Sequence, residues 1–85
     1  MITVSATKIS LLCEQLLQEN REKERILERN PNDVDWYLVQ RADERIDIIR
    51  QVIGLLFGGT CNFYNGEVWI HKNRDFITIY KEDEA

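Results

Sequence analysis

Apolar residues near the N-terminus recur at three- and four-residue spacing, the pattern of one face of an α-helix. They are Ile9, Leu12, Cys13, Leu16 and Leu17. Eight polar residues follow, from Gln18 to Arg25. This polar segment can remain helical because opposite charges stand three or four residues apart, as in Glu19 and Lys23. The pattern predicts a helix over about 8–29.

A second apolar stripe at helical spacing follows the dipeptide Asn30-Pro31. Its members are Leu38, Ala42, Ile46, Ile49, Ile53 and Leu56. Proline disfavours the α conformation in the residue before it and fits the first position of a helix. Gly58-Gly59 is a typical helix stop. We therefore predict a second helix over about 31–57, antiparallel to the first.

The last third of the chain changes to the alternation and turn signals of β-strands. Asn65-Gly66 favours a two-residue type I′ hairpin turn, and Asn73-Arg74 indicates a second tight turn. The predicted strands lie at about 60–64, 67–72 and 75–81. The fold class is therefore α+β, a long helical hairpin followed by a three-stranded antiparallel β-meander.

The chain ends add two further predictions. Ile-Thr-Val at 2–4 can form a short N-terminal strand, and 82–85, three acidic residues and an alanine, are predicted to form a frayed acidic tail. With 85 residues, the chain 1–85 is the size of a single domain.

The two turns fix which strand residues share a face, because directly paired residues point to the same side and neighbours alternate. This register pairs Val68 with Ile79. One face is then aliphatic and should pack on the helices: Cys61, Phe63, Val68, Ile70, Ile77 and Ile79. The opposite face is polar and aromatic: Asn62, Tyr64, Trp69, His71, Phe76, Thr78 and Tyr80.

Two clusters look under-buried in a single copy of this chain. Pairing the helices around Pro31 sets the polar segment 18–25 opposite 36–41, where four consecutive apolar residues cannot all be covered by one helix. Exposed aromatic clusters of this kind mark interaction sites. The predicted protein-interface residues are Trp36, Tyr37, Val39, Tyr64, Trp69, His71, Phe76 and Tyr80.

Charge and cysteine content narrow the class of partner and compartment. The net charge is −4, from 11 basic and 15 acidic residues, which disfavours binding to the nucleic-acid backbone. No apolar run approaches the ~20 residues that span a bilayer, so no membrane partner is expected. The N-terminus lacks the features of a signal peptide. Two scattered cysteines suit a reducing compartment, so we expect a cytoplasmic protein.

Candidate catalytic and metal-binding groups do not assemble in this register. Cys61 and His71 fall on opposite faces of the sheet, which argues against a thiol–imidazole dyad. Asp43 and Asp47 share a helix face, but Arg50 stands three residues beyond Asp47, as on a solvated, charge-laced helix. Zinc-ligand spacing is absent. We therefore predict no catalytic residues, no cofactor and no metal site.

These observations favour a small acidic protein-protein interaction module that is homodimeric and non-catalytic. Its role would be that of an adaptor, regulator or inhibitor, of the kind a mobile element can encode. Its partners would be a second copy of itself and an unidentified protein. One alternative is single-stranded nucleic-acid binding by base stacking on the aromatic face, with Lys72, Arg74 and Lys81 at its rim. The other is an enzyme whose site is completed across a dimer interface.

Overall fold

A computed structural model describes residues 6–29 and 35–82 of the chain. The helices are α1 (Ala6–Arg29) and α2 (Trp36–Phe57), and the strands are β1 (Thr60–Tyr64), β2 (Glu67–Lys72) and β3 (Asp75–Lys81). The strands form one antiparallel sheet in the order β1-β2-β3. This confirms the predicted α+β arrangement. The predicted strand at 2–4 and the Asn30-Pro31 junction lie outside the described residues.

The start of α2 differs from the prediction. The helix begins at Trp36, and Asp35 is its N-cap, with an extended backbone at φ −80° and ψ 93°. The backbone N–H groups of Tyr37 and Leu38 donate to the Asp35 carboxylate at 3.1 and 3.3 Å. A capping aspartate satisfies N–H groups that have no partner within the helix. This signal at Asp35, not Pro31, sets the helix start.

The end of α2 is the predicted glycine stop. Gly58 adopts a left-handed conformation with φ 69°, which glycine tolerates without the clash of a side chain. The N–H of Gly59 donates to the Gly54 carbonyl oxygen at 2.9 Å. The chain leaves the helix so closely that a Cβ on Gly54 would lie only 2.7 Å from the Gly59 oxygen.

The buried stripe of α2 is displaced from the predicted one at both ends. Its hydrophobic members are Val39, Ala42, Ile46, Ile49 and Ile53. Leu38 is 44% exposed and Leu56 is also exposed, whereas Val39 is only 6% exposed. Val39 and Leu38 fit the three- and four-residue spacing equally well, so the spacing alone does not decide between them.

Ion pairs between the helices show how the hairpin is aligned. Arg45 pairs with Glu19 at 3.3 Å, and Lys23 pairs with Asp43 at 2.6 Å. The polar half of α1 therefore lies beside the middle of α2, about one turn further along than the alignment around Pro31 predicts. Its charged residues stabilise the hairpin by reaching across to α2, not only by pairing along α1.

Both predicted turns are present, and the second has the type I′ geometry that was predicted for the first. Asn65 and Gly66 have φ angles of 51° and 78°, and Asn73 and Arg74 have φ angles of 51° and 73°. Positive φ at both central residues is the mark of a type I′ turn, whose twist matches that of the flanking strands. Arg74 therefore carries a side chain at the turn position that Gly66 occupies in the first turn.

The strand register is as predicted except at the end of β3. Trp69 pairs with Thr78, but a β-bulge then sets Val68 opposite Tyr80 instead of Ile79. A bulge places two residues opposite one and turns the strand. Tyr80 therefore faces the helices: it is half-buried against the core, and its hydroxyl donates to Glu14 at 3.3 Å. The prediction that Tyr80 lies on the aromatic face is wrong.

The core lies between the hairpin and one face of the sheet. The α1 side chains Cys13, Leu16 and Leu17 meet the α2 stripe and the sheet residues Cys61, Val68 and Ile70. Phe63 and Ile79 pack at the margin as predicted. Ile77 was predicted to join this core, but it is 52% exposed. The first half of β3 is exposed on both faces, so the helices leave it uncovered.

Two polar contacts fasten the sheet to the helices. Arg50 of α2 donates from Nε to the Cys61 carbonyl oxygen at 3.2 Å and from Nη2 to the Asn62 side chain at 3.0 Å. On the other side, Arg21 of α1 pairs with Glu82, whose N–H donates to the Gly66 oxygen at 2.8 Å. Glu82 is therefore anchored, although it was predicted to begin a frayed tail.

Candidate functional site

Three aromatic rings contact one another on the side of the sheet that faces away from the helices. The Phe76 ring stacks on His71, with centroids 4.5 Å apart and planes 9° apart. Trp69 meets Phe76 edge to face at 5.5 Å. The arrangement follows from the register, since Trp69 and His71 alternate along β2 and Phe76 pairs directly with His71. Phe76 is nevertheless 67% exposed.

Tyr64 extends this aromatic surface onto β1. It is exposed, and it shares its side of the strand with Asn62, which pairs with Trp69. We call Tyr64, Trp69, His71 and Phe76 the outer sheet face. These are four of the predicted interface residues, and the structure brings them together on one surface.

Two basic side chains near the outer sheet face are engaged by other groups of the protein. A Cβ placed on Gly58 would lie 3.6 Å from the Lys72 ammonium, so Lys72 sits at the C-terminus of α2, where a cation is favoured. Lys81 pairs with Glu67 at 3.8 Å, and this ion pair borders the outer sheet face, because Glu67 lies opposite Tyr64. Of the three cations considered for the rim of a single-stranded nucleic-acid site, Lys72 therefore lies at the helix end and Lys81 has a carboxylate beside it.

A second exposed surface is the first turn of α2. Trp36, Tyr37 and Leu38 are all exposed there, and the Arg41 guanidinium lies 5.7 Å from the centre of the Tyr37 ring. We call these three apolar residues the tip surface. Val39 was predicted to belong to it, but its burial shows that it points into the hairpin. The predicted interface set thus divides into two surfaces and two inward-facing residues, Val39 and Tyr80.

A third apolar surface, which was not predicted from the sequence, lies on the side of the helical hairpin that the sheet leaves uncovered. Its exposed members are Leu11 of α1 and Ile48, Val52, Leu55 and Leu56 of α2. We call them the open hairpin face. Ile48, Val52 and Leu55 stand at i, i+4 and i+7 and so share one side of α2. Leu11, Val52 and Leu56 line a groove between the helices, whose other lining residues are Lys8, Leu12 and Gln15.

The signal for the open hairpin face was present in the sequence. Ile48, Val52 and Leu55 are apolar but do not belong to the stripe that α1 covers. A helix that is apolar on two sides needs two neighbours. One side of α2 is covered by α1 together with the sheet. Leu55 is 83% exposed, so its side of α2 has no covering element among the described residues.

The thiols of Cys13 and Cys61 lie in the core and are unreactive. Burial, together with the nearby Cys61, raises the pKa of Cys13 to about 11. Burial also raises the pKa of Cys61, although the Arg50 charge acts in the opposite direction. Both are neutral thiols at pH 7 and therefore weak nucleophiles. Cys61 faces the core, and His71 lies on the outer sheet face, so the two do not form a dyad.

Two of the three acidic residues of α2 form ion pairs. Asp43 pairs with Lys23 of α1, and Asp47 lies 3.5 Å from Arg50. Within residues 6–29 and 35–82, no three histidine, cysteine or acidic side chains are grouped closely enough to hold a metal ion.

Neither of the described helices combines the length and the apolar character needed to cross a membrane.

Comparisons with protein-family models, with curated proteins and with solved structures find no match for this chain. Its function therefore has to be inferred from its own side chains. The outer sheet face, the tip surface and the open hairpin face are the features on which that inference rests.

Proposed function

We propose that this chain is a non-catalytic protein-interaction module of the cytoplasm, which forms homodimers and binds a further protein as an adaptor, regulator or inhibitor. One observation supports the proposal: among the described residues, eleven large hydrophobic side chains are exposed, and ten of them fall into three surfaces. Scattered exposed apolar residues need no explanation, but contiguous patches mark interaction sites.

The outer sheet face is the surface we assign to the further protein. Its tryptophan, tyrosine and phenylalanine are residue types enriched at protein interfaces, and tryptophan and tyrosine often carry much of the binding energy there. The stacked His71 and the edge-on Trp69 hold Phe76 in place, so little side-chain freedom is lost when a partner binds. A rigid aromatic platform of this kind suits an aliphatic surface on the partner.

Charge supports a protein partner with a basic rim. The chain carries a net charge of −4, so a basic partner is attracted, whereas a nucleic-acid backbone is repelled. Lys72 lies at the end of α2 and Lys81 is paired with Glu67, so both cations do less to attract a nucleic acid. Base stacking alone would leave the phosphates of a nucleic acid uncompensated.

The experiment compares two serine variants of adjacent residues on β3. Phe76→Ser removes the centre of the outer sheet face, while Ile77→Ser removes a similarly exposed apolar side chain that points to the other side of the same strand. A partner would be isolated from the native cells with the tagged wild type, purified, and titrated against all three proteins. Circular dichroism would establish that the variants are folded.

We expect the wild type and Ile77→Ser to bind the purified partner equally and Phe76→Ser to bind at least ten-fold more weakly, which is about 1.4 kcal/mol. Equal binding by all three proteins would contradict the assignment of this face. If a single-stranded oligonucleotide quenches the tryptophan emission of the wild type at low salt, the outer sheet face would be assigned to nucleic-acid binding instead.

A further inference from the structure

We infer that the further protein is held by adding a short extended segment of its own chain to the outer edge of β3. The inference rests on the proposed function and deepens it, because β3 carries Phe76 at the centre of the outer sheet face. The segment would lie antiparallel to β3 along residues 76–78 and continue the sheet as a fourth strand.

The backbone of β3, an edge strand, has open groups on its outer side. Residues that flank a two-residue turn bond to each other, and bonded pairs then alternate with non-bonded pairs along an antiparallel ladder. Ile77 is therefore bonded to Ile70 of β2, whereas Phe76 and Thr78 direct their N–H and C=O groups outward. Among the described residues, no group bonds to these outward donors and acceptors. Such a row is recognised by another extended backbone.

The opposite edge of the sheet, β1, is less open. By the same alternation, Cys61 directs its carbonyl oxygen outward, and Arg50 donates to that oxygen at 3.2 Å. Arg50 also bonds to the Asn62 side chain, so its guanidinium lies along the β1 edge. At the β3 edge, in contrast, Phe76 and Ile77 are 67% and 52% exposed. An added strand is therefore expected at β3 and not at β1.

The β3 edge is open for a short segment only. Residues 76–78 include no proline and no charged residue, the features with which proteins commonly protect a strand edge. Beyond Thr78 the bulge interrupts the regular ladder, and before Phe76 the chain enters the Asn73-Arg74 turn. Phe76 and Thr78 would each exchange two hydrogen bonds with the residue opposite. The edge therefore suits a segment of about four residues, and it does not suit a long continuous sheet.

Side chains around this edge indicate what the segment carries. Its residues opposite Phe76 and Thr78 would point to the outer sheet face, where a β-branched aliphatic side chain packs well beside an aromatic ring on the neighbouring strand. Phe76 contacts His71 on the β2 side, so its other side is left for the segment. The intervening residues of the segment would lie beside Asp75 and Ile77, on the side that the helices leave uncovered.

Asp75 adds a preference for a basic residue. Its carboxylate is exposed and makes no ion pair or hydrogen bond with the described residues. A lysine or arginine opposite Asp75 would gain an ion pair, which is weak at a surface but helps to set register and direction. Ile77 keeps contact with water on that side, so a polar residue is sufficient there and Ile77→Ser leaves binding unchanged. The segment is therefore amphipathic, with aliphatic residues at alternate positions.

The test uses a synthetic peptide of that chemistry, acetyl-Ser-Val-Thr-Val-Lys-amide, titrated into the isotope-labelled wild-type chain. In antiparallel addition its two valines lie opposite Thr78 and Phe76, and its lysine lies opposite Asp75. Two N-methylated peptides are the matched controls. One is methylated on both valines, whose N–H groups point at β3, and the other on the threonine and the lysine, whose N–H groups point away. All three peptides have the same side chains.

We expect the unmodified peptide and the threonine-lysine control to bind equally, and the valine control to bind at least about ten-fold more weakly, because it cannot donate to β3. Binding should slow hydrogen exchange at the Phe76 and Thr78 amides, which are open in the free protein. The Ile77 amide is already bonded within the sheet and should not change. Asp75→Asn should weaken binding of the unmodified peptide roughly two- to five-fold.

The outcomes separate this inference from the proposed function. If no peptide binds at millimolar concentration, or if the valine control binds like the unmodified peptide, no strand is added at β3, and the outer sheet face still stands on the Phe76→Ser titration. If the Phe76 and Thr78 amides already exchange slowly in the free protein, a second copy occupies the edge and the inference is overturned. If Phe76→Ser binds the purified partner as the wild type does, the outer sheet face is wrong and the inference is overturned with it.

Discussion

The second hairpin turn provides an internal test of how backbone conformation contributes to stability. Arg74 has φ 73°, almost the same as the φ 78° of Gly66 at the equivalent position of the first turn. A side chain in the left-handed region costs about 1–2 kcal/mol. The Arg74 side chain makes no ion pair or hydrogen bond with the described residues, so little is lost by removing it. Arg74→Gly should therefore stabilise the protein.

The size of the gain follows from two opposing effects. Relief of the left-handed strain contributes about 1–2 kcal/mol, and the extra freedom of glycine in the unfolded chain takes back roughly 0.5–1 kcal/mol. The expected net gain is about 0.5–1 kcal/mol. For a domain of this size, each kcal/mol raises the melting temperature by roughly 4–8 °C, so a shift of about 2–8 °C is expected.

The assay is thermal and urea unfolding at one fixed protein concentration, because self-association would make the melting temperature depend on concentration. Gly66→Arg is the matched control. It imposes the same strain on the first turn, where a Cβ would also lie 3.2 Å from the Glu82 side chain, so it should lower stability. A melting temperature of Arg74→Gly equal to or below that of the wild type would refute the assignment of a type I′ turn at Asn73-Arg74.

Three further predictions concern the core and the helix ends. Asp35→Ala should lower the free energy of unfolding by about 1 kcal/mol, whereas Asp35→Asn, which can still cap, should cost much less; equal losses in urea unfolding would remove Asp35 as the cap. Gly54→Ala should destabilise the protein, although the same change at an open helix position gains about 1 kcal/mol, because the new Cβ would lie 2.7 Å from the Gly59 oxygen; a gain in stability would mean that the Gly59 oxygen does not lie against Gly54. The raised pKa of Cys13, about 11, means that the unfolded chain loses this proton first as pH rises, so the stability that the buried thiol contributes below pH 9 should fall between about pH 9 and 11. Urea titrations of the wild type and Cys13→Ala across this range would test it, since a decline of equal size in both would assign the effect to other groups.

Elements with strong local signals could be predicted from the sequence. The three- and four-residue spacing gave both helices, and Asn65-Gly66 and Gly58-Gly59 gave a turn and a helix end. Each depends on a conformation that few other residues adopt. The start of α2 was mispredicted because Pro31 and Asp35 both signal a helix start, and the sequence does not rank them.

The β-bulge and its consequence for Tyr80 could not be predicted in the same way. Ile79 and Tyr80 continue the alternation of β3, and neither is a glycine that would indicate an irregularity. Only the packing of both residues against the helices favours the bulge. The bulge does not change which side of the sheet Trp69, His71 and Phe76 face, because all three lie between the bulge and the turn, where the predicted register is correct.

The open hairpin face was not predicted, because one apolar stripe was assigned to α2. Ile48, Val52 and Leu55 lie outside that stripe and together form a second one. Whether an apolar helix face is covered within the chain depends on where the sheet lies, and that is a property of the tertiary structure.

The molar mass of the wild-type protein in solution tests the central claim most directly. Light scattering during size exclusion, at two loading concentrations a hundred-fold apart, separates one chain of 10.1 kDa from two. We expect a mass of twice the chain at the higher concentration. A mass of one chain at both concentrations would contradict the proposal that this protein functions as a homodimer.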